Sequence, residues 1–251
     1  MIKLKVILLL TINSFIVFGQ DQKDNEKVII DFIHLIKSKQ KEALSSRIQY
    51  PFHREYPIPT IKNKQEFLNR YSEIFDDSLT KVIITSNPAK DWSAVGWRGI
   101  MLSDGLLWLD YDGRLIGVNY QSKTERVKRN ALIKAEKETL HESIRKFKDP
   151  IHILETSKYR IRIDDLGNGN YRYSCWSVKS KMSDKPDLIL SDGKIIPEGS
   201  GGNHKYEFKN ADYTYECSII VMGEEGSPPA LLTIYKGEKE ILSQKAYIKG
   251  E

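Results

Sequence analysis

Apolar residues recur at helical spacing over two stretches near the start of the chain and at alternate positions over most of the second half. From about Asn25 to Leu44, Val28, Ile29, Phe32, Ile33 and Ile36 share one face while Lys37, Lys39, Lys41 and Glu42 lie elsewhere, which predicts an amphipathic helix. His34 falls opposite the stripe, as a solvated histidine would. Arg47–Pro59 contains Pro51, Pro57 and Pro59, which exclude helix and bias their predecessors to extended backbone. A second helix is predicted from Asn63 or Lys64 to about Asp77, with Phe67, Leu68, Tyr71, Ile74 and Phe75 on its buried face. The β-branched run Lys81–Thr85 predicts a short strand.

Asp91–Tyr120 predicts a three-stranded meander, because Asp104-Gly105 and Asp112-Gly113 separate runs rich in Ile, Leu, Val, Trp and Tyr. A three-residue Ser103–Gly105 loop would set Arg98 opposite Asp110 and Ile100 opposite Trp108; a two-residue Asp104-Gly105 turn would set Arg98 opposite Tyr111. The first is preferred because it pairs opposite charges across the sheet. A tight Asp112-Gly113 turn then places Trp108 opposite Gly117 and Asp110 opposite Leu115. One face would carry Arg98, Trp108, Asp110 and Asn119. The other would carry Trp97, Met101, Leu107, Leu109, Ile116, Val118 and Tyr120 and would pack on the helices.

Gln121–Asp149 is highly charged, with Val127, Ala131, Leu140, Ile144 and Phe147 as a thin apolar stripe. It predicts a long, largely solvated helix joining two domains, with a partner-binding amphipathic helix as the alternative. From Ile151 onward the period is two: Tyr159, Ile161 and Ile163, then Tyr171, Tyr173 and Cys175, then Tyr213, Tyr215, Cys217 and Ile219 alternate with polar neighbours. With Leu188–Leu190, Lys205–Phe208 and Ala230–Lys236 this gives six to eight strands. Turns are expected at Gly167–Asn170, Asp192-Gly193, Asn210–Asp212 and Lys236-Gly237, so the second half is a small antiparallel barrel or sandwich.

The fold class is therefore α+β. Residues 1–19 combine Lys3 and Lys5 with a short apolar run and small residues at Val17 and Gly19, the pattern of a signal peptide, with an uncleaved anchor as the alternative. Residues 20–121 form an α+β domain, 122–150 the linker and 151–251 the β domain. No later stretch is apolar enough to span a membrane, so an exported product, periplasmic or extracellular, is expected. Loss of the leader removes two lysines and takes the formal charge from +5 to +3; acidic and basic residues are interspersed, which argues against nucleic acid.

The order helix, extended segment, helix and meander, carried by Glu66–Phe75 and Trp92–Tyr120, resembles the nuclear transport factor two-like family. That resemblance implies a curved sheet wrapped on helices around an apolar pocket. Its members include isomerases and dehydratases as well as non-catalytic binding modules. Trp97 and Tyr120 would then face the helices, and Tyr50, His53, Arg54, Tyr56, Arg98, Trp108 and Asp110 would line the pocket, with His53 and Asp110 the acid/base candidates.

Cys175 and Cys217 are the only cysteines. An export route permits a disulfide closing a loop of about 40 residues, worth roughly 4 kcal/mol in the chain-entropy picture; two buried thiols are the alternative. They lack the histidines of a zinc site, and no metal or other cofactor is expected. Glu198–His204, EGSGGNH, lacks the ending of a phosphate loop. Gly199-Ser200-Gly201-Gly202 followed by Tyr206 and Phe208 resembles the glycine-serine loop of periplasmic inhibitors of c-type lysozyme, with Lys205 where an arginine would precede the tyrosine. Ser200, Gly201, Gly202, Asn203 and His204 then form a partner-binding loop. The residues thus favour an exported non-catalytic module binding a small ligand or an envelope protein, with a pocket enzyme or an inhibitor- or immunity-type protein as alternatives.

Overall fold

The computed structural model describes residues 10–250, with side chains from Lys23 onward. The first part of the expected leader, residues 1–9, lies outside that range. Among the described residues no helix is long and apolar enough to cross a membrane. The chain divides into two compact units: residues up to Arg54 with Thr60–Val127, and Glu55–Pro59 with Lys128–Glu251.

The first unit opens with α1, Leu10–Lys37, which buries Ile29, Phe32 and Ile36. The helix expected to reach Leu44 breaks at residues 38–40. Lys39 takes a left-handed φ of 55°, Gln40 N–H bonds Leu35 O at 3.0 Å and Lys39 N–H bonds Ile36 O at 3.1 Å, the bonds that close a helix C-terminus. A short helix α2, Lys41–Ser45, follows. Residues 47–61 are non-helical, as the prolines require, with single bridges from Ile48 to Leu115 and from Phe52 to Ile61.

Helix α3, Lys64–Ile74, starts where expected. Asn63 Oδ1 accepts from Glu66 N–H at 3.0 Å, Glu66 Oε2 accepts from Lys62 N–H at 2.9 Å, and Phe67, Tyr71 and Ile74 are buried. The strand expected at Lys81–Thr85 is instead helical, as part of α4, Asp77–Thr85. Asp76 caps Leu79 N–H at 2.9 Å, and Leu79 and Ile83, one turn apart, are both buried. A cap and one well-placed apolar pair outweigh the β preference of Val82 and Ile84.

The meander is a four-stranded antiparallel sheet in sequential order: β1 Trp92–Ala94, β2 Ile100–Leu102, β3 Leu107–Leu109 and β4 Leu115–Val118. Ile100 pairs with Leu109 and Met101 with Trp108, so the preferred register is displaced by one residue. Arg98 is not in a strand: it ends a single 3-10 turn, and Gly99 at φ 95° lies so close to Leu109 O that a Cβ there would sit 2.2 Å from it. The slip turns Ile100 and Leu102 inward instead of Met101, and a bulge after Trp108 turns Leu115 inward instead of Ile116. Trp108 does face Gly117 as expected. Trp97 is 61% exposed, and Tyr120 is half-buried with its hydroxyl donating to Asp76 at 2.8 Å.

Helix α5, Lys123–Thr139, is shorter than expected and not solvated along its length: Ile133 packs with Leu140, Ile144, Phe147 and Trp176. The β domain is a barrel rather than a sandwich. Its strands are β5 Asp149–Glu155, β6 Tyr159–Gly167, β7 Asn170–Ser177, β8 Leu188–Pro197, β9 His204–Asn210, β10 Tyr213–Ile219, β11 Ala230–Lys236 and β12 Lys239–Ile248. Each pairs antiparallel with the next, and β12 closes on β5 through Tyr247–Glu155 and Ile248–Leu154.

The predicted phases hold in the barrel. Ile161, Ile163, Tyr173, Cys175, Cys217 and Ile219 join the interior cluster with Leu154, Tyr206, Phe208 and Leu232. The opposite phase of β6 and β7 is also buried, with charged Arg162, Asp164 and Arg172 beside Trp176. Asp164 accepts from Arg172 Nη2 at 2.6 Å and pairs with Arg162 Nε at 2.8 Å, while Arg162 Nη1 reaches Glu136 on α5 at 2.7 Å. Arg172 also donates to the Ile144 and Lys146 carbonyls, and Arg162 lies 4.8 Å over the Phe147 ring. Asp192-Gly193, expected as a turn, lies inside β8. There the chain bulges, and a Cβ on Gly193 would sit 2.0 Å from a Phe208 ring carbon, so only glycine lets Phe208 fill the lumen.

Candidate functional site

The residues with uncommitted chemistry gather at one end of the barrel. The β8–β9 loop, residues 198–203, is closed at its neck by Glu198 N–H to Asn203 O at 2.7 Å, with Gly199 and Gly202 at φ 73° and 88°. The β10–β11 loop, residues 220–229, is closed by Ile220 N–H to Pro229 O at 2.8 Å. Asn203 joins the two: Nδ2 donates to Met222 O and Oδ1 accepts from Met222 N–H, both at 2.7 Å. A glycine-dense loop carries a large entropy cost of ordering, which this two-point brace offsets. Beside it Val221 is 63% and Met222 38% exposed. The two loops carry Glu198, Glu224 and Glu225 and no lysine or arginine, a local reversal of the chain's positive balance.

Beneath the loops, His204 and Tyr206 project from β9 on the inner phase. His204 Nδ1 lies 2.9 Å from Gly202 O; a carbonyl only accepts, so Nδ1 donates in this contact and Nε2 is the nitrogen left to face a ligand. His152 comes from β5, four strands away around the eight-stranded ring in either direction, yet its ring centroid is 6.4 Å from that of His204 and 6.0 Å from that of Tyr206. Tyr171 of β7 stacks edge-on to Tyr206 at 5.0 Å. Burial, and then repulsion from His204, lowers the His152 pKa to about 4, so this imidazole is neutral at ordinary pH. Burial likewise pushes the Tyr206 phenol well above its usual value.

The cysteines are free and buried in the same interior, where desolvation raises both thiols. They project from β7 and β10, which are not neighbouring strands.

The first-unit candidates do not converge. Tyr50 donates to Ser45 O at 3.0 Å, and burial pushes its pKa up to about 12. His53 is exposed, with Nδ1 3.5 Å from Thr60 Oγ1. Arg54 is buried against Glu125 and the Val118 and Tyr120 carbonyls, which ties the proline segment to the sheet. Tyr56 belongs to the second unit, its hydroxyl bound to Glu136. Arg98 lies 5.7 Å over the Trp108 ring, and Trp108 Nε1 donates to Gly105 O at 3.1 Å. Asp110 does not pair with Arg98. It accepts from Asp112 N–H at 3.0 Å and Arg114 N–H at 2.8 Å and pairs with Arg114 Nε at 2.5 Å, the local chemistry of its own turn. An open groove of about 940 Å³ does exist in this unit, lined by Ile29, Trp92, Ile100 and Tyr111 among others, but not by His53 or Asp110.

Fold and site thus define a two-unit α+β protein whose second unit is a closed up-and-down barrel with a braced two-loop end. No protein-family model matches the chain, no curated protein matches it, and no solved structure matches it. Sequence reasoning placed Ser200–His204 here but missed His152, Val221 and Met222. The one available signal for His152 was its phase, two residues before the inward Leu154.

Proposed function

We propose that this protein is exported and acts by non-catalytic binding, using the two-loop end of the barrel to hold a protein of the cell envelope. The observation that carries this reading is the Asn203–Met222 brace, which fixes a glycine-rich loop beside exposed apolar Val221 and Met222. A loop ordered before its partner arrives loses less freedom on association. Glu224 and Glu225, in the loop that carries Val221 and Met222, suit a partner that offers an apolar contact beside lysine or arginine. An inhibitor-type role is one form this binding takes, with an enzyme as the partner.

The test is retention of envelope proteins on the immobilised chain. Wild type retains a partner that Asn203→Ala and Val221→Asp lose while both variants melt near the wild-type temperature. Equal retention by all three chains, or turnover of a small substrate by the purified protein, would refute the reading. The groove lined by Trp92 and Tyr111 supports a second reading, a small-ligand site in the first unit, with a volume in the range of small-molecule sites. Quenching of tryptophan fluorescence by a bound apolar ligand, lost in Ile100→Glu, distinguishes it.

A further inference from the structure

We propose that His152 and His204 form a binding site for one copper ion in its monovalent state, bridged between the two rings across the lumen at the loop end of the barrel. Three features converge on a metal rather than on a packing role.

The first is distance. A metal–nitrogen bond to imidazole is about 2 Å, so two rings joined end to end through one ion place their centroids roughly 6 Å apart. The observed separation is 6.4 Å, between strands on opposite sides of the barrel.

The second is the state of the donors. A ligating imidazole must be neutral, and its other nitrogen is normally held by a carbonyl or carboxylate that fixes the tautomer. His204 has that arrangement: Gly202 O takes the Nδ1 proton and leaves Nε2 for the ion. The His152 ring has His204 and Tyr206 as aromatic neighbours and makes no hydrogen bond among the described residues, so its nitrogens are open to a ligand.

The third is charge. Among the described residues no cluster of three or more His, Cys, Asp or Glu surrounds a common point. Divalent zinc would enter an aromatic surround with two neutral donors and no neutralising carboxylate. A single positive charge costs less to bury, and monovalent copper, a closed-shell ion, accepts two donors in a line where zinc requires four. Tyr206 lies edge-on to both histidine rings, with Tyr171 edge-on to Tyr206 in turn, and both histidines keep part of their surface exposed, which leaves a path for the ion.

The full mature chain, titrated anaerobically with Cu+ against a chromophoric chelator, is expected to take up one equivalent. His152→Ala and His204→Gln each weaken that binding at least tenfold, whereas His141→Ala leaves it unchanged. Should the alanine variant fail to fold, acylation of histidine by diethylpyrocarbonate reads the same point in wild type. Copper protects His152 and His204 from modification and leaves the exposed His53 reactive. Uptake unaffected by either substitution, protection spread equally over all histidines, or Zn2+ held more tightly than Cu+ at these residues would each overturn the assignment.

Discussion

The two units differ most in what they bury. The first has a core of Ile, Leu, Phe and Val with Trp92 and Tyr71, and its buried or half-buried ion pairs are Arg54–Glu125 and Arg70–Glu73. The second buries Tyr173, Tyr206, Cys175 and Cys217 inside its barrel and Arg162, Asp164 and Arg172 on its outer wall. A hydrocarbon core can only pack. A core carrying phenol, thiol and imidazole groups holds donors and acceptors in fixed positions, which is why the candidate chemistry falls in the barrel although the tryptophan-rich meander attracts attention first.

The sharpest way to break this contrast is to remove one charge from the outer wall and one ring from the hydrocarbon core. Asp164→Ala leaves two buried guanidiniums without their shared carboxylate and is expected to cost about 3–5 kcal/mol, seen in urea melts as loss of the barrel transition alone. Phe67→Ala should cost a similar amount, about 3–5 kcal/mol, in the first unit's transition alone. A variant that shifts both transitions equally would show that the two cores are not independent.

A smaller effect, about 1–3 kcal/mol, is expected for Gly193→Ala, which drives a methyl into the Phe208 ring. Phe208→Leu in the same chain should recover part of the loss, and absence of any recovery would reject the steric account. The finest test is alkaline. Burial raises the Tyr173 phenol well above its usual value of about 10, so above that pH the unfolded chain releases a proton that the folded chain retains. Stability is therefore intact below pH about 10 and falls as pH rises beyond it. Tyr173→Phe should flatten that fall in pH-dependent melts, and an unchanged slope would place the titrating group elsewhere.

What the residues revealed depends on the range of the interactions that decide each element. Helix α3 was legible because Asn63, Glu66 and the Phe67–Tyr71–Ile74 stripe are all local. The barrel strands were legible because period two survives closure. Helix α4 was not, since Asp76 sits outside the β-branched run that drew the strand assignment. The register of β2 on β3 was misread because charge pairing was weighted above burial. Ile100 and Leu102 decide it, and a slip of one residue exchanges every side chain between faces. The site was legible only in its local half: Asn203 and His204 are consecutive, where the loop runs into β9, whereas Met222 and His152 reach them through pairings that span 19 and 52 positions.

The seam between β12 and β5 carries a consequence for biogenesis. Leu154 is matched with Ile248, so the ring cannot be sealed until nearly the whole of the second unit has left the ribosome. Up to that moment β5 has an open edge, and the aromatic interior has no opposite wall. A chain with contacts of such long range folds slowly and is exposed to aggregation while it waits. Deleting the last turn-and-strand, residues 237–250, should therefore yield an insoluble product rather than a smaller soluble barrel.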